Sequence, residues 1–346
     1  MTAAPPPVVS DVLRDYGALV RAAVREYLPA AEPRRYLYDL VADYPGRGGK
    51  MMRPSLCIAV ARALGAPLDH LLIAAAASIE LMHNAMLVHD DIEDESDRRR
   101  GQPTLHSMWG VAMAINAGDA LALASLRPLL GAAAHIDPAL ALGLVEETER
   151  MARESAEGQA LELGWRADNV VALEERDYFE MVLKKTCWLA TIHPVRLGAL
   201  IAVAGRVDPA AFIRFGFFLG TSFQIRDDVL NLIGDEAAYG KETCGDLREG
   251  KRTLMLIRLL QLASADERAR LIAHLGTALP ARRDADVRWI RERMDHHGCI
   301  DYARDVAHAM AGAAAAEYAR LFAPVPPSRD RDFIEGLITW VVERAS

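Results

Sequence analysis

The sequence predicts an all-α protein, folded as a single large helical bundle. Apolar residues recur at three- and four-residue steps in nearly every long segment of the 346 residues, which is typical of amphipathic helices. Strand signals are missing from the sequence, because it has no long alternation of β-branched residues and no Asn-Gly or Asp-Gly turn. Clusters of glycine and proline separate the periodic segments and indicate where helices end.

The helices can be assigned in chain order. Residues 1–9 are predicted to be a flexible tail, and Pro54 stands at the first helical position after the GGKMMRP segment. Alanine and leucine dominate residues 71–89, where the apolar positions keep helical spacing. Asp137 and Asp208 each precede a proline and are predicted N-caps. The predicted helices cover residues 10–28, 54–64, 71–89, 111–130, 139–163, 174–204, 208–233, 251–274, 283–297, 299–322 and 330–344.

The composition excludes several classes of protein. With 51% hydrophobic and 25% charged residues the chain can bury a large core, so global disorder is excluded. Its 40 Lys and Arg against 48 Asp and Glu give a net charge of −8, which argues against a nucleic-acid partner. The four cysteines show no CxxC spacing, so they predict neither a disulfide framework nor a cysteine metal site.

Segments that target or anchor a protein are not evident in the sequence. The first residues lack a basic stretch followed by an apolar one, and no run of 18 apolar residues is free of charge. There is also no internal repeat and no long linker. We therefore expect a cytoplasmic protein without an integral membrane segment, made of one domain over residues 1–346.

Two acidic clusters follow apolar helices. Residues 90–97 read DDIEDESD, and Asp90 and Asp94 share a helix face because they are four residues apart. A solvated acidic surface is the ordinary interpretation of such a run. Asp227, Asp228 and Asn231 repeat the spacing at the end of a second apolar helix, however, and buried carboxylates are costly without a partner. Because Mg²⁺ prefers oxygen ligands and completes its shell with phosphates, the pair of clusters predicts a Mg²⁺–diphosphate site.

Basic residues accompany both clusters. Lys50 and Arg53 lie in a glycine-rich turn before a predicted helix, which is a favourable place for phosphate binding. Three arginines, at 98–100, follow the first cluster, and they could simply neutralise its acids. Further lysines stand beside Gly or Thr at Lys185, Lys241 and Lys251. Each is uninformative alone, since surface lysines are common, but their order around two acidic motifs favours diphosphate binding.

These motifs together resemble those of a known family. The ordered segments are GGKMMRP, HNAMLVHDDIEDESDRRRGQPTLH, GQALEL, KKT, FQIRDDVLNL and GKETCGDLREGKRT. Over roughly residues 35–260 the chain resembles the trans-isoprenyl diphosphate synthases, the polyprenyl synthetase family, and is most similar to geranylgeranyl diphosphate synthases. The resemblance implies a helical bundle around a deep central cavity, a homodimer, and three Mg²⁺ ions bound with substrate. It also implies that an allylic diphosphate condenses with isopentenyl diphosphate and diphosphate is released.

The resemblance assigns roles to individual residues. The implied metal ligands are Asp90, Asp91, Asp94, Asp227, Asp228 and Asn231. The residues implied to hold the allylic diphosphate are Arg99, Lys185, Thr186, Gln224, Lys241 and Lys251. Those implied to hold isopentenyl diphosphate are Lys50, Arg53, His83 and Arg100. Catalysis would rest on Asp90, Asp94, Asp227, Arg99, Lys185 and Lys241. The sequence departs from the family pattern at Met51, Glu162 and Asn231, and the last departure puts a direct metal role for Asn231 in doubt.

Chain length and two competing functions complete the sequence-based expectations. Met86 and Met82 precede Asp90 by about one and two helical turns, and Ala85 stands where shorter-chain members of the family carry an aromatic floor. A C20 product is therefore favoured, with C15 and C25 as neighbours. A class I terpene cyclase is one alternative, since Asp227, Asn231 and Asp235 imperfectly match its second motif. A non-catalytic partner subunit of a synthase is the other. Without the resemblance, His83 and both methionines would be assigned to core packing.

Overall fold

The computed structural model describes residues 6–203, 208–233 and 243–343, and this part of the chain is almost entirely helical. The predicted all-α fold class is confirmed. The α-helices of the described residues are α1 Pro7–Tyr27, α2 Asp39–Gly46, α3 Met52–Ala63, α4 His70–Glu93, α5 Leu105–Trp109, α6 Val111–Ala124, α7 Arg127–Ala133, α8 Pro138–Ala167, α9 Glu175–Val182, α10 His193–Val203, α11 Ile213–Ile233, α12 Gly245–Glu249, α13 Leu254–Leu262, α14 Ala265–Leu275, α15 Asp284–His296, α16 Cys299–Phe322 and α17 Arg329–Glu343. Two π-helical segments, Arg34–Tyr38 and Leu183–Ile192, and two 3₁₀ turns, Pro209–Phe212 and Leu279–Ala281, join them.

Local sequence explains where several helices begin. Asp137 and Asp208 accept hydrogen bonds from backbone N–H groups of the next turn, as predicted for N-caps. Ser264 and Glu267 form a reciprocal capping box that separates α13 from α14 inside the single helix predicted over 251–274. The predicted tail at 1–9 is wrong for its last residues, since α1 begins at Pro7 and Val9 is fully buried. Burial of Val9 and partial burial of Val8, the two valines after the proline run, favour helix over a solvated tail.

A short β-hairpin interrupts the helices after the first acidic cluster. Strand β1 (Arg98–Arg99) pairs antiparallel with β2 (Gln102–Pro103), and the turn residues Arg100 and Gly101 both have positive φ, 55° and 76°. Two consecutive left-handed residues make the tight turn whose twist matches paired strands. The hairpin was not predicted, because a non-glycine residue rarely takes a positive φ. It carries Arg99 and Arg100 into different surroundings, as described below.

The helix α4 is the central element of the bundle. It packs against α3, α1, α6 and α7, and every residue from Leu72 to Ala85 except Ile73 is buried. Among the described residues it alone is long and apolar enough to cross a membrane, but 78% of that apolar window lies inside the protein. Such burial is typical of a core helix. The second acid-bearing helix, α11, packs against α16 and the π-helical segment Leu183–Ile192.

The π-helical segment lies unusually close to its neighbours. A Cβ atom on Gly158 of α8 would lie 2.1 Å from the backbone nitrogen of Lys185, and one on Gly216 of α11 would lie 2.8 Å from Cα of Ile192. Only glycine permits these approaches, because real Cβ contacts are longer. The backbone that carries Lys185 and Thr186 is therefore fixed between α8 and α11, where the sequence pattern had predicted an uninterrupted helix over 174–204.

Candidate active site

A cavity of about 640 Å³ lies between α4, α8, the π-helical segment and α11. Its volume is in the range of small-molecule binding sites. Most of the residues assigned from the sequence line this cavity: Lys50, Arg53, Met82, His83, Ala85, Met86, Asp90, Arg99, Arg100, Lys185, Thr186, Gln224, Asp227, Asp228 and Lys251. Three assigned acids or amides, Asp91, Asp94 and Asn231, do not line it, and Lys241 lies outside the described residues.

Asp90 and Glu93 are the first-cluster carboxylates that line the cavity. Arg99 Nη2 lies 3.2 Å from Asp90 Oδ2, and Lys185 Nζ lies 3.5 Å from Asp90 Oδ1. Burial lowers the pKa of Lys185, but the charges of Glu162 and Asp90 outweigh it, so the net pKa is raised and the ammonium stays charged. The two cations implied to hold the allylic diphosphate therefore converge on a predicted metal ligand.

Asp91 is turned away from the cavity and holds Arg99 in place. Its side chain is buried, accepts a hydrogen bond of 2.5 Å from Tyr44 Oη, and accepts others from the Arg99 guanidinium, including one of 2.9 Å from Nε. Burial opposes the charge on Arg99, yet the bonds and charge of Asp91 raise the net pKa of the guanidinium. Asp90 therefore lines the cavity while Asp91 holds Arg99, because successive residues of a helix point about 100° apart.

Asp94 caps the end of α4 and is fully buried between two cations. Arg166 Nη1 lies 2.7 Å from Asp94 Oδ1, and Lys251 Nζ lies 2.7 Å from Asp94 Oδ2. The Lys251 ammonium also lies 2.8 Å from Glu249 Oε2. Burial lowers the pKa of Lys251, but the negative charges of Asp94 and Glu249 outweigh this effect. The net pKa is raised, so the ammonium stays charged. In this arrangement Asp94 joins α4 to α8 and to the segment that follows α12.

The second cluster is organised by a chain of hydrogen bonds. Thr186 Oγ1 donates to Gln224 Oε1 at 2.8 Å, and Gln224 Nε2 donates to Asp228 Oδ1 at 2.7 Å. Tyr178 Oη donates to the other oxygen of Asp228 at 2.8 Å. Burial raises the pKa of the Asp228 carboxyl, and the nearby charge of Asp246 raises it further. Asp227, one residue earlier, also lines the cavity.

A separate basic group comes from the loop before α3, the hairpin and α4. Arg100 donates hydrogen bonds to the carbonyl oxygens of Gly48 and Tyr44, so the hairpin fixes the glycine-rich loop. His83 is buried, and this burial is the main reason why its pKa lies well below the usual value. Repulsion from the positive charges of Arg53 and Arg100 lowers the pKa further. Its imidazole is therefore neutral near pH 7, and it can donate or accept a hydrogen bond without adding charge.

The remaining walls of the cavity are apolar. Met82, Ala85 and Met86 of α4 line it, whereas Ile79, one turn further from Asp90, is buried but does not reach it. Other apolar lining comes from α6, α8, the π-helical segment and α11, through Ala122, Ala156, Leu189 and Phe223. The charged groups and the apolar walls therefore belong to one continuous space.

Several lining residues were not assigned from the sequence. Gln159 Nε2 donates to Glu93 Oε2 at 2.5 Å and links α8 to the end of α4. Glu162, noted above as a departure, lies 2.6 Å from Lys185 Nζ. Asp246 reaches the cavity from α12. The GQALEL segment was a usable signal for the first two, but nothing in the linear spacing placed Asp246 beside α11.

The donor chemistry of the cavity fits a hard divalent cation. Asp90, Asp227, Asp228 and Asp246 all line it. Within the described ranges, no three acidic, histidine or cysteine side chains already converge as a metal cage. Mg²⁺ does not need one, since it is usually held by one or two carboxylates together with water and substrate phosphates. The residues present therefore fit Mg²⁺ bound together with a diphosphate.

Comparison with known proteins agrees with this site. The sequence profile of the polyprenyl synthetase family matches residues 34–294. A geranylgeranyl diphosphate synthase of Methanosarcina mazei is 34% identical over 86% of this chain and 87% of its own length. The crystal structure of geranylgeranyl pyrophosphate synthetase from Pyrococcus horikoshii superposes with a TM-score of 0.84 at 32% identity, covering 96% of this chain and 98% of that one.

A third similar protein was solved with ligands. It is geranylgeranyl pyrophosphate synthase from Corynebacterium glutamicum, complexed with isoprenyl diphosphate and magnesium. It has a TM-score of 0.82 at 25% identity, and the alignment covers 97% of this chain and 98% of that one. The family match, the relatives and the fold confirm the resemblance stated from the motifs. The chain belongs to the polyprenyl synthetase family of prenyltransferases.

Proposed function

We propose that this enzyme condenses an allylic diphosphate with isopentenyl diphosphate and releases diphosphate, with geranylgeranyl diphosphate (C20) as its main product. The observation that carries the proposal is the presence of two cationic groups around one cavity that continues between apolar walls. Lys50, Arg53 and Arg100 form one group, and Lys185 with Lys251 belongs to the other. Two diphosphates can therefore bind at once, with their hydrocarbon parts sharing the apolar space.

The allylic side of the site is suited to stabilise a leaving diphosphate. Mg²⁺ ions, three in the substrate complex, would be held by Asp90 and Asp227, which line the cavity, and would neutralise the charge that grows on that group. Arg99 and Lys185 add fixed positive charge beside Asp90. Lys241 stays a proposed ligand of the allylic diphosphate on the family resemblance alone. Preorganised charge in a water-poor site stabilises the transition state more strongly than it would in water.

The other basic group would orient the second substrate. Lys50, Arg53 and Arg100 hold isopentenyl diphosphate so that its alkene meets the allylic carbocation, and the neutral His83 can hydrogen-bond to it without repelling the cation. The released diphosphate then takes the proton that completes the reaction. The methionine and leucine walls exclude water, which would otherwise quench the carbocation.

The competing functions receive less support. A terpene cyclase binds one diphosphate and has no use for Lys50, Arg53 and Arg100 as a second group. The Asn231 side chain, which a cyclase motif would direct to metal, is buried against the backbone of α12, and Asp235 lies outside the described residues. A non-catalytic partner subunit would not need both acidic clusters.

Two substitutions should separate the substrate sites and test the synthase proposal. We expect Arg53→Ala to raise the KM for isopentenyl diphosphate at least about tenfold, since a charged hydrogen bond is worth roughly 1.5–3 kcal/mol, with a smaller effect on the allylic KM. Lys185→Ala should do the reverse. Steady-state kinetics with each substrate varied in turn gives both values. Equal effects of both changes on both substrates would contradict the two-site assignment.

We also propose that the enzyme is a homodimer, assembled through α5, α6 and α7. The support is an exposed apolar surface on these helices, where Leu123 is 70% exposed. Met108, Trp109, Val111, Ile115 and Leu130 are its other members. A patch of this kind marks an interaction site. Sedimentation should give a dimer for the native chain and a monomer for a Val111→Asp, Leu123→Asp double variant; a native monomer would refute the proposal. The cytoplasmic location stays a prediction.

A further inference from the structure

Tyr44 and Arg47 lie behind the cationic groups of the cavity, outside the motifs that carry the family resemblance. Tyr44 belongs to the last turn of α2, and Arg47 follows that helix directly. Tyr44 is 1% exposed, and the side chain of Arg47 is 2% exposed. Neither residue lines the cavity. Any effect that they have on a bound substrate must therefore pass through other residues.

The Tyr44 hydroxyl reaches the allylic side of the site through Asp91. It donates a hydrogen bond of 2.5 Å to Asp91 Oδ2, and the Arg99 guanidinium donates to both oxygens of the same carboxylate. A buried carboxylate is stable only when such donors satisfy it, so the three side chains form one connected group. Arg99 Nη2 lies 3.2 Å from Asp90 Oδ2 at the cavity. Tyr44 therefore helps to fix the direction in which the Arg99 guanidinium points.

Arg47 holds the β-hairpin that carries Arg99 and Arg100. Its guanidinium donates hydrogen bonds to the carbonyl oxygen of Arg99 on β1, at 3.2 Å, and to that of Pro103 on β2, at 2.8 Å. The guanidinium also lies 4.5 Å from the centre of the Tyr44 ring, which is within the range of a cation–π contact. Arg47 thus joins both strands of the hairpin to the end of α2.

The hairpin in turn supports the glycine-rich loop of the other cationic group. Arg100 donates hydrogen bonds to the carbonyl oxygens of Gly48 and Tyr44. A Cβ atom on Gly49 would lie 3.0 Å from the Arg100 guanidinium, so the loop and the arginine are in close contact. Because this loop begins directly after Arg47, the end of α2, the loop and the hairpin form one packed unit.

We propose that Tyr44 and Arg47 form a clamp that sets the position of the two diphosphate-binding groups relative to each other. Tyr44 acts on Arg99 through Asp91, and Arg47 acts on both groups through the hairpin. Both are positioning residues. Condensation requires the two substrates to meet in one geometry, so the spacing of their diphosphate sites affects the rate. The inference rests on the proposed synthase function.

Steady-state kinetics with each substrate varied in turn tests the clamp. Tyr44→Phe removes only the hydroxyl and keeps the ring against Arg47. We expect it to raise the KM for the allylic diphosphate about tenfold, the scale of one hydrogen bond to a charged group, and to change the KM for isopentenyl diphosphate less than about twofold. Arg47→Ala should raise both KM values, because the hairpin carries a cation of each group. An effect of Arg47→Ala on one substrate alone would contradict the proposed coupling.

Tyr16→Phe is the matched control. Tyr16 is also buried, and its hydroxyl also donates a hydrogen bond of 2.5 Å to a buried aspartate, Asp330, but neither residue lines the cavity. Both tyrosine variants should lower the melting temperature by similar amounts, whereas only Tyr44→Phe should change a KM. Native KM values in folded Tyr44→Phe, or an equal KM shift in Tyr16→Phe, would overturn the inference.

Binding on the allylic side can also be measured without turnover. The probe is the thiolo analogue of geranyl diphosphate, in which sulfur replaces the bridging oxygen and slows ionisation, and its affinity is measured by calorimetry with Mg²⁺ present. Tyr44→Phe should weaken this affinity by about the same factor as it raises the allylic KM. Native affinity in Tyr44→Phe would refute the clamp alone. Absence of turnover by the native protein would instead contradict the synthase proposal, and the calorimetric titration would still test the clamp.

Discussion

Replacing Asp90 by alanine is expected to lower kcat/KM by about a thousandfold, which is the scale for losing one group that stabilises transition-state charge. Asp90 is a first-cluster carboxylate at the cavity, and two cations, Arg99 and Lys185, lie within 3.5 Å of it. Its loss removes a proposed metal ligand and disturbs both. The fold should persist, because Arg99 keeps Asp91 and Lys185 keeps Glu162 as partners. Asp227→Ala is expected to behave in the same way.

The measurement is steady-state turnover at saturating Mg²⁺, with circular dichroism to verify folding. Asp301→Ala serves as the control, since Asp301 is an exposed aspartate on α16 whose one ion pair within the described residues is with Arg304, one turn away. It should retain full activity. Near-normal rates in folded Asp90→Ala and Asp227→Ala would show that the paired acidic clusters are not the catalytic metal site.

Replacing Ala85 by phenylalanine is expected to shift the main product from C20 to C15. Ala85 is buried on α4, faces the cavity and lies five residues before Asp90, hence about 7.5 Å along the helix axis. An aromatic ring there occupies the space into which a growing chain must extend. The neighbouring methionines are flexible and can adjust, so overpacking should cost about 1–3 kcal/mol, within a typical stability margin.

Products are identified by chromatography after enzymatic removal of the diphosphate. Ala85→Ser is the matched control, because it changes the same position with little change in volume and should leave the product distribution as it is. An unchanged distribution in folded, active Ala85→Phe would mean that another wall of the cavity limits chain length.

The sequence predicted those site residues whose positions follow from helical spacing. Met82, Ala85, Met86 and Asp90 share one face of α4, and the structure places all four at the cavity. The same spacing failed for Asp94, because α4 ends at Glu93 and two cations from distant segments, Arg166 and Lys251, hold its carboxylate. The spacing of residues along one helix does not show which side chains from other segments will bind them.

Backbone departures from ideal helices were also beyond prediction. The hairpin at 98–103 depends on Arg100 taking a positive φ, which its contacts with the Gly48 and Tyr44 carbonyls stabilise. The π-helical segment around Lys185 depends on Gly158, which lies 27 residues earlier in the chain and is unremarkable in the sequence of its own helix. Both features orient cations of the site. Both arise from tertiary packing, which cannot be predicted from the propensities of the local sequence.

The most direct test of the account is product formation by the purified protein. It is incubated with Mg²⁺, isotope-labelled isopentenyl diphosphate and, in separate reactions, dimethylallyl, geranyl or farnesyl diphosphate, and the dephosphorylated products are separated by chromatography. The account predicts labelled linear prenyl alcohols, with C20 as the main species, and none when Mg²⁺ is chelated. Cyclic hydrocarbons from an allylic substrate alone, or no incorporation of label from any starter, would contradict it.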